Sequence, residues 1–343
     1  MTGALSLGTA VGQPLASRLV DGRGTRVLGP MAAVHALGLA GIVVLGHRAA
    51  GVAGLVLCGL LAGAALPPTS SVLRGSWPGL LRSRPDLLTA AYALDAVLIQ
   101  LSFLAGPLVV AATVTFLPPD AALALAATAA LAGTAAFVAL HESAPARGPG
   151  RRAGLLGPLA APGIRTLVLS QVPIGIAFGS LQVTLPVFAQ TEGHRELAGV
   201  LLAMLSVASI AGALILGARP RTIPLDALHV RLARLVPLGF AFPLLAWSVP
   251  AMVVLVLPAG ALLSAFFATR NQLAGLAAPP GTQTEAVTWP LTALIAGTAI
   301  GAALAGVVAE GPGWRAAVAG AVAFAALGSV TAGARRGTLV PAA

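Results

Sequence analysis

Long apolar runs, separated by short polar segments, extend along the whole chain. A helix needs about 20 apolar residues to cross the hydrocarbon core of a bilayer, and most of the runs are close to this length. They lack the strict alternation of apolar and polar residues that is typical of membrane β-strands. The pattern therefore predicts eleven membrane-spanning helices, roughly at residues 1–17, 28–46, 50–70, 88–112, 120–140, 164–189, 196–217, 231–248, 251–269, 285–309 and 314–333.

The composition supports a chain surrounded mostly by lipid. Hydrophobic residues make up 57% of the 343 positions, charged residues make up only 9%, and the mean hydropathy is +0.94. Soluble domains carry about 25% charged residues, so this chain has too few to cover a water-facing globule. The predicted fold class is an all-α polytopic membrane protein.

The positions of the basic residues, all 20 of which are arginines, set the predicted orientation. Short cytoplasmic loops carry an excess of basic residues. With the eleven helices counted as above, Arg48, Arg195 and Arg315 fall on one side and the other 17 arginines fall on the opposite side. The side richer in arginine is then cytoplasmic. This places the C-terminus on the cytoplasmic side of a plasma membrane and Met1 on its external side. Because these arginines are scattered between apolar runs rather than gathered on one face, the net charge of +10 does not indicate nucleic-acid binding.

The longest polar interruption divides the chain into two predicted helical domains. Residues 141–164 are rich in Pro, Gly and Arg, which is typical of a linker. Five predicted helices precede this cytoplasmic linker, in domain 1–140, and six follow it, in domain 165–343. An even plan of six plus six helices would need one more helix before Met1.

A short basic segment with a single acid, Ser17–Arg26, follows the first predicted helix. It predicts a tight cytoplasmic turn that is held at the membrane surface by Arg18, Arg23 and Arg26. Asp21 has three interpretations: it is solvated, it pairs with a neighbouring arginine, or it lies at the positive N-terminus of another helix.

This segment resembles the loop between the second and third helices of major facilitator superfamily transporters, whose pattern is roughly G-x-L-A-D-R-x-G-R-R. Asp21, Gly24 and Arg26 match in register, whereas Ser17 replaces the usual first glycine, and Gly22 and Thr25 replace basic residues. The resemblance implies that the loop gates a conformational change, and that Asp21 docks near Thr284-Glu285. It also implies that the two domains contain family helices 2–6 and 7–12, with the first helix missing.

The predicted fourth helix carries an acid and a Gly-Pro pair. Asp95 is the acid that lies deepest in an apolar run, so it is a candidate for proton or substrate binding, or it lies near the lipid headgroups. Gln100 could bind a solute but carries no proton. Gly106-Pro107 resembles the motif in the fifth helix of drug and proton antiporters of this superfamily, and it equally suits a simple packing kink.

The C-terminal part of the chain resembles the eleventh and twelfth helices of actinobacterial-type members of the superfamily. Thr282 or Thr284 can cap the tenth predicted helix, and Glu285 suits its positive N-terminus. Further along, Gly297 and Gly301 form a Gly-x-x-x-Gly surface for close helix packing.

In the sixth predicted helix, Gln171 and Gln182 are eleven residues apart and are expected on one face, either lining a cavity or bonding a neighbouring helix. No catalytic motif, metal-ligand spacing or phosphate-binding loop is present, so we expect neither an enzyme nor a cofactor or metal.

The expected function is transport of a small organic solute by alternating access, as proton-coupled efflux. The expected partners are the solute, protons and membrane lipids, and the expected state is a monomer. The alternative is a non-transporting or decayed relative with a scaffold role, which the imperfect loop motif, the missing first helix and the neutral Gln100 favour.

Overall fold

The computed structural model describes residues 2–48, 51–118, 120–140, 157–218 and 223–339, and all regular secondary structure in these ranges is helical. Most of the predicted linker, residues 141–156, lies outside the described residues, as do Arg219 and Arg221. The α-helices are α1 Thr2–Arg23, α2 Leu28–His47, α3 Val52–Ala64, α4 Thr69–Leu80, α5 Leu88–Phe116, α6 Asp120–Leu140, α7 Pro162–Thr191, α8 Ala198–Ala218, α9 Leu225–Ala241, α10 Val249–Leu255, α11 Leu257–Ala277, α12 Gln283–Glu310 and α13 Trp314–Ala334.

Ten stretches of the described residues are long and apolar enough to cross a membrane, which confirms the predicted multi-pass helical class. They correspond to the second through eleventh predicted helices. The first predicted helix, residues 1–17, lies in α1, which is not among the ten although it has 22 residues. Polar residues such as Gln13 and Ser17 make α1 less apolar than the other helices.

The structure corrects several predicted helix ends. The ninth predicted helix was expected to end at residue 269, but the span Val249–Ala277 continues through α11, so Arg270 lies inside a helix rather than in a cytoplasmic loop. Arg231 and Arg234 were also predicted to lie in cytoplasmic loops or at the cytoplasmic ends of helices, but they lie within α9. A charged residue ends an apolar run in the sequence, but it does not interrupt the backbone hydrogen bonds of a helix.

The chain forms two compact units. The first contains Met1–Ser76, Ala105–Pro158 and Ala278–Thr288, and the second contains Trp77–Leu104, Leu159–Ala277 and Trp289–Ala343. Helices α4, α5 and α12 contribute residues to both units. The simpler division at residues 141–164 stays a prediction.

In the first unit, α3 packs between α1 and α2, and α2 also contacts α6. Glycines allow the close approach of α1 and α3, because a Cβ added at Gly8 would collide with the carbonyl oxygen of Leu60, and one at Gly63 with that of Leu5. On the other side of α3, Ala62 is buried against Leu39 of α2.

The second unit has a larger apolar core, formed mainly by α7, α8, α9, α11 and α13. Large side chains from different helices are fully buried there, including Phe188, Phe240 and Phe266. Phe188 meets Trp314 of α13 edge to face, with ring centroids 4.8 Å apart. Burying aromatic side chains of this size contributes strongly to packing.

The glycine pair of α12 lies against α7 within the second unit. A Cβ added at Gly297 would collide with the carbonyl oxygen of Val172, and one at Gly301 with the backbone of Ile176. The Ser180 hydroxyl donates to the carbonyl oxygen of Gly301 at 3.1 Å. Small residues at such a contact let two helix backbones approach closely, and van der Waals packing then holds them together.

We predict that Gly301→Ala lowers the stability of the purified protein, because the added methyl group forces α7 and α12 apart. Overpacking a close contact typically costs about 1–3 kcal/mol. Gly306→Ala in the same helix is the matched control, because a Cβ there meets no atom within 4 Å. Thermal unfolding should therefore show a lower midpoint for Gly301→Ala alone, and equal midpoints would contradict the packing described here.

Candidate functional site

The candidate site begins at the end of α1. The segment Ser17–Arg26 was expected to be a turn, but α1 continues to Arg23, so Asp21 lies in the last helical turn. The chain turns at Gly24, whose φ of +77° is a conformation that favours glycine, and a short 3-10 turn, Thr25–Val27, leads into α2. Gly22, by contrast, lies inside the helix.

Asp21 contacts the N-terminus of α12. The backbone N–H of Thr284 donates to Oδ1 of Asp21 at 3.0 Å, and the N–H of Glu285 donates to Oδ2 at 2.8 Å. The first N–H groups of a helix have no partner within that helix, and its N-terminus carries a partial positive charge. A carboxylate that accepts from each N–H with one oxygen gives both groups a partner and places its negative charge at the positive end of the helix. Asp21 therefore caps a helix that begins more than 260 residues later in the chain.

Three further contacts surround this cap within the first unit. The hydroxyl groups of Ser17 and Thr288, each about one turn away from the Asp21 contact, lie 2.7 Å apart. A Cβ added at Gly75 of α4 would lie 3.0 Å from the carbonyl carbon of Gln283, so α4 also passes close to the start of α12. The Thr282 hydroxyl donates to the carbonyl oxygen of Pro279 at 2.9 Å. Ser17, an apparent departure from the family motif, thus makes a specific contact here.

Glu285 places a second carboxyl group at this site. It is 4% exposed, and its own backbone N–H bonds Asp21. Gly157, within the predicted linker, has a φ of +51°, and a Cβ added there would lie 2.9 Å from both carboxyl oxygens of Glu285. Gly157 thus lies directly beside this carboxyl group, and glycine suits both the conformation and the space.

Burial raises the pKa of Asp21 to about 6, although the hydrogen bonds from Glu285 and Thr284 act in the opposite direction. Removing a carboxylate from water disfavours its charged form, whereas donors that bond it favour that form. The nearby Glu285 carboxyl adds a smaller effect that also raises the pKa. Asp21 is therefore ionised at neutral pH and takes up a proton in mildly acidic solution.

The other predicted site residues are distributed along the molecule. Arg18 is half-buried in α1, whereas Arg26 is exposed. Asp95 is 6% exposed inside α5, and Gln100 is half-buried in the same helix. Helix α5 continues through Gly106-Pro107, and among the described residues a Cβ at Gly106 would meet no atom within 4 Å.

A buried polar cluster in the second unit contains one predicted residue, Gln171. The Arg270 guanidinium donates from Nη1 to Oε1 of Gln171 at 2.9 Å, and from Nε and Nη2 to Oδ1 of Asn271 at 3.0 and 2.8 Å. Gln182, expected on the same face as Gln171, is exposed. Sequence analysis missed Arg270 and Asn271 because the predicted helix ended at residue 269. The run of three polar residues, Arg270-Asn271-Gln272, was the available signal.

His229 of α9 extends this polar region. Its Nδ1 lies 2.9 Å from Oγ1 of Thr269, and its ring stacks on Phe266 with centroids 4.5 Å apart. Among the described residues, no group of three or more His, Cys, Asp or Glu side chains is arranged to hold a metal ion.

The pKa of Asp21 predicts a specific pH dependence of stability. A group whose pKa is raised by folding binds its proton more tightly in the folded protein than in the unfolded chain. For Asp21 this stabilises the folded protein at low pH, and the contribution is lost as the pH rises from about 4 through about 6. The melting temperature of the wild type, minus that of Asp21→Asn, should therefore fall across this range and be constant at higher pH.

This difference is measured by thermal unfolding of both purified proteins at a series of pH values. Glu310→Gln, which removes an exposed acid at the opposite end of α12, controls for the loss of one carboxyl group. A difference that rises with pH would show that the hydrogen bonds of Asp21 outweigh the effect of its burial.

Comparisons with known proteins identify the fold. No protein-family model and no curated protein matches the chain. Solved structures do match it along almost the whole length. A bacterial homologue of the iron transporter ferroportin, in an outward-facing state with soaked iron, has a TM-score of 0.75 at 16% identity, over 97% of this chain and 88% of that one.

Two other transporters show a similar likeness. The human organic anion transporter MFSD10 has a TM-score of 0.69 at 19% identity, over 99% of this chain and 82% of that one. The E. coli fucose:proton symporter FucP has a TM-score of 0.72 at 12% identity, over 97% and 90% of the two chains. At these identities the likeness concerns the fold, and the chain has the all-α polytopic fold of major facilitator superfamily transporters.

Proposed function

We propose that this protein moves a small organic solute across a plasma membrane by alternating access, and exports it in exchange for protons. The observation that carries the proposal is the contact between Asp21 and the N-terminus of α12. It lies in a chain whose fold is that of known transporters.

The Asp21 contact has the properties of a reversible latch. Charge-assisted hydrogen bonds to a helix N-terminus are stronger than neutral ones, yet no covalent bond must change to release them. On release, both partners can be solvated by water, because Asp21 follows the apolar part of α1 and the bonded N–H groups lie in the first turn of α12. In our proposal the latch is closed in one transport state and open in another, as the resemblance of the Ser17–Arg26 segment implies.

Alternating access requires two bodies that move against each other. We propose that residues 1–140 and 165–343 form these bodies and that residues 141–164 connect them. The arginine distribution supports a cytoplasmic position for the linker and the C-terminus and an external position for Met1. Many large apolar side chains are exposed, as expected for a helical protein in contact with lipid, including Leu37, Phe103 and Val307. We propose that it acts as a monomer.

Asp95 is the proposed proton carrier. Its carboxyl group is buried inside α5, within a stretch apolar enough to cross the membrane. Ionisable groups at such positions are costly and commonly serve ion or proton pathways. The neutral Gln100, about one and a half turns later in the same helix, cannot take up a proton, so in this proposal it contributes only to solute binding.

The first functional prediction concerns the latch. Asp21→Asn keeps the size of the side chain but replaces one acceptor oxygen with an NH₂ group, so one helix N–H loses its partner. Losing one charge-assisted hydrogen bond shifts a two-state equilibrium by about tenfold. We expect solute exchange in proteoliposomes to slow by a comparable factor, while membrane insertion and yield stay unchanged.

The assay uses a mixed panel of small organic anions, cations and neutral solutes, with internal and external concentrations followed by mass spectrometry. Asp86→Asn is the matched control, because this acid is exposed and pairs with the exposed Arg84. Equal exchange rates in the wild type and Asp21→Asn would show that the role of Asp21 is purely structural. Absence of exchange for every solute in the wild type would favour the non-transporting scaffold instead.

The second functional prediction separates proton coupling from solute movement. Asp95→Asn should abolish solute accumulation driven by a pH gradient, because the amide cannot carry a proton. It should preserve exchange of labelled for unlabelled solute, which needs no net proton movement. Both activities are measured in the same proteoliposomes, with Asp86→Asn as control. Intact gradient-driven accumulation in the variant would exclude Asp95 as the carrier.

A further inference from the structure

We propose that the second unit binds the headgroup of an anionic phospholipid where α9 begins and α13 ends, through the guanidinium groups of Arg231 and Arg234. This surface is separate from the Asp21 contact and from the buried polar cluster of α11. The inference goes beyond the proposed transport function and does not depend on it, because a lipid can bind this surface whether or not a solute is moved.

The first observation is an excess of positive charge at this end of the second unit. Three helices meet there, because Nε of Arg335 donates to Oγ1 of Thr166 in α7 at 2.9 Å, and Nε of Arg336 donates to Oδ2 of Asp226 in α9 at 2.7 Å. Asp226 is the only acid in the sequences of α7, α9 and α13. The arginines that lie within the first three turns of α7 or α9, or directly after α13, are Arg165, Arg231, Arg234, Arg335 and Arg336. The described residues at this end therefore carry a net positive charge.

The second observation is that Arg231 and Arg234 present their charges together on the outside of the helical unit. Both side chains are exposed, and a spacing of three residues places them on the same face of α9. Neither side chain forms an ion pair or a hydrogen bond within the part of the chain that the structure describes. A Cβ added at Gly333, in the last turn of α13, would lie 3.8 Å from Nη2 of Arg234. The Arg234 guanidinium thus lies beside the C-terminal end of α13.

An exposed apolar surface continues from these two arginines along the same helices. On α9, Leu235 and Leu238 follow the arginines on the outward face, and both are exposed. On the neighbouring α13, Val330 and Leu327 lie about one and two turns before the helix end, and both are exposed as well. Positive charge near the helix ends and apolar side chains further along match the order of groups in a phospholipid, whose negative headgroup lies above its acyl chains.

A phospholipid fits this surface better than a free phosphate ion does. The arginines are exposed, so water weakens their attraction for a small anion. A lipid is already held at the membrane surface by its acyl chains, and each arginine near that surface then strengthens the binding of anionic lipid by about fivefold. The guanidinium group also matches the geometry of a phosphate, to which it donates two parallel hydrogen bonds. A zwitterionic headgroup gains less, because it brings a positive charge of its own to the site.

The test compares lipids by their effect on the melting temperature of the purified full chain in a neutral detergent. Dioleoylphosphatidylglycerol and dioleoylphosphatidylcholine have the same acyl chains and differ in headgroup charge. Glycerol phosphate and inorganic phosphate carry the anionic group without the chains. We expect phosphatidylglycerol to give its half-maximal rise in melting temperature at a concentration at least about tenfold below that of phosphatidylcholine, because two arginines contribute. The two soluble phosphates should give no rise.

Variants test the two residues themselves. Arg231→Gln combined with Arg234→Gln should remove the advantage of phosphatidylglycerol, because the side chains stay polar but lose their charge. Each single glutamine variant should lose about fivefold, which keeps the test available if the double variant does not fold. Replacing both residues with lysine keeps the charge and should preserve most of the advantage. Arg195→Gln is the matched control, because this exposed arginine lies between α7 and α8, at the opposite end of the unit.

The outcomes separate this site from general attraction between arginines and anionic lipid. Equal half-maximal concentrations of the two lipids in the wild type would overturn the proposal, as would an advantage that persists in the double glutamine variant. An equal loss in Arg195→Gln would show that any exposed arginine suffices, and would overturn the site at α9. A rise with inorganic phosphate or glycerol phosphate alone would assign the arginines to a free anion instead of a lipid. No solute flux enters these measurements, so failure of the lipid site and failure of transport are distinguishable.

Discussion

Inside a bilayer no water is present to satisfy a polar group, so every buried donor and acceptor of this protein needs a partner within the chain or its ligand. Few charged side chains are available as partners, because charged residues make up only 9% of the chain. Serine and threonine hydroxyls mostly meet it within their own helix, as when Thr184 donates to the carbonyl oxygen of Ser180. A smaller set of polar groups finds its partner on a distant helix, as Asp21 does on α12.

Apolar packing alone gives these helices little selectivity, because lipid tails are as apolar as leucine side chains. Close contacts in both units therefore depend on small residues. Gly8 and Gly63 bring α1 to α3, and Gly297 and Gly301 bring α12 to α7. Such contacts are steric, whereas the Asp21 contact consists of hydrogen bonds to a carboxylate. The first kind of contact builds a helical unit, and the second is the one to which the proposed function assigns a change between transport states.

The sequence predicted the membrane class and ten of the spans, because the bilayer directly requires helices of a certain length and hydropathy. Both properties are local and can be recognised in the sequence. The family resemblance also named Asp21 and the region of Glu285 together, and the structure brings them into contact. Other features depended on tertiary partners. Helix α1 continues past the apolar run to Arg23, where its last turn contacts α12, and the close approach of Gly157 to Glu285 has no local signal.

Arg270 shows the same limit in a sharper form. A hydropathy scale gives a charged residue an unfavourable value, so the ninth predicted helix ended at residue 269. The scale takes no account of the amide groups that accept hydrogen bonds from Arg270 in the folded protein. An arginine is kept inside an apolar span only where its burial is compensated. Asn271 contributes to this compensation from within α11, and Gln171 contributes to it from α7.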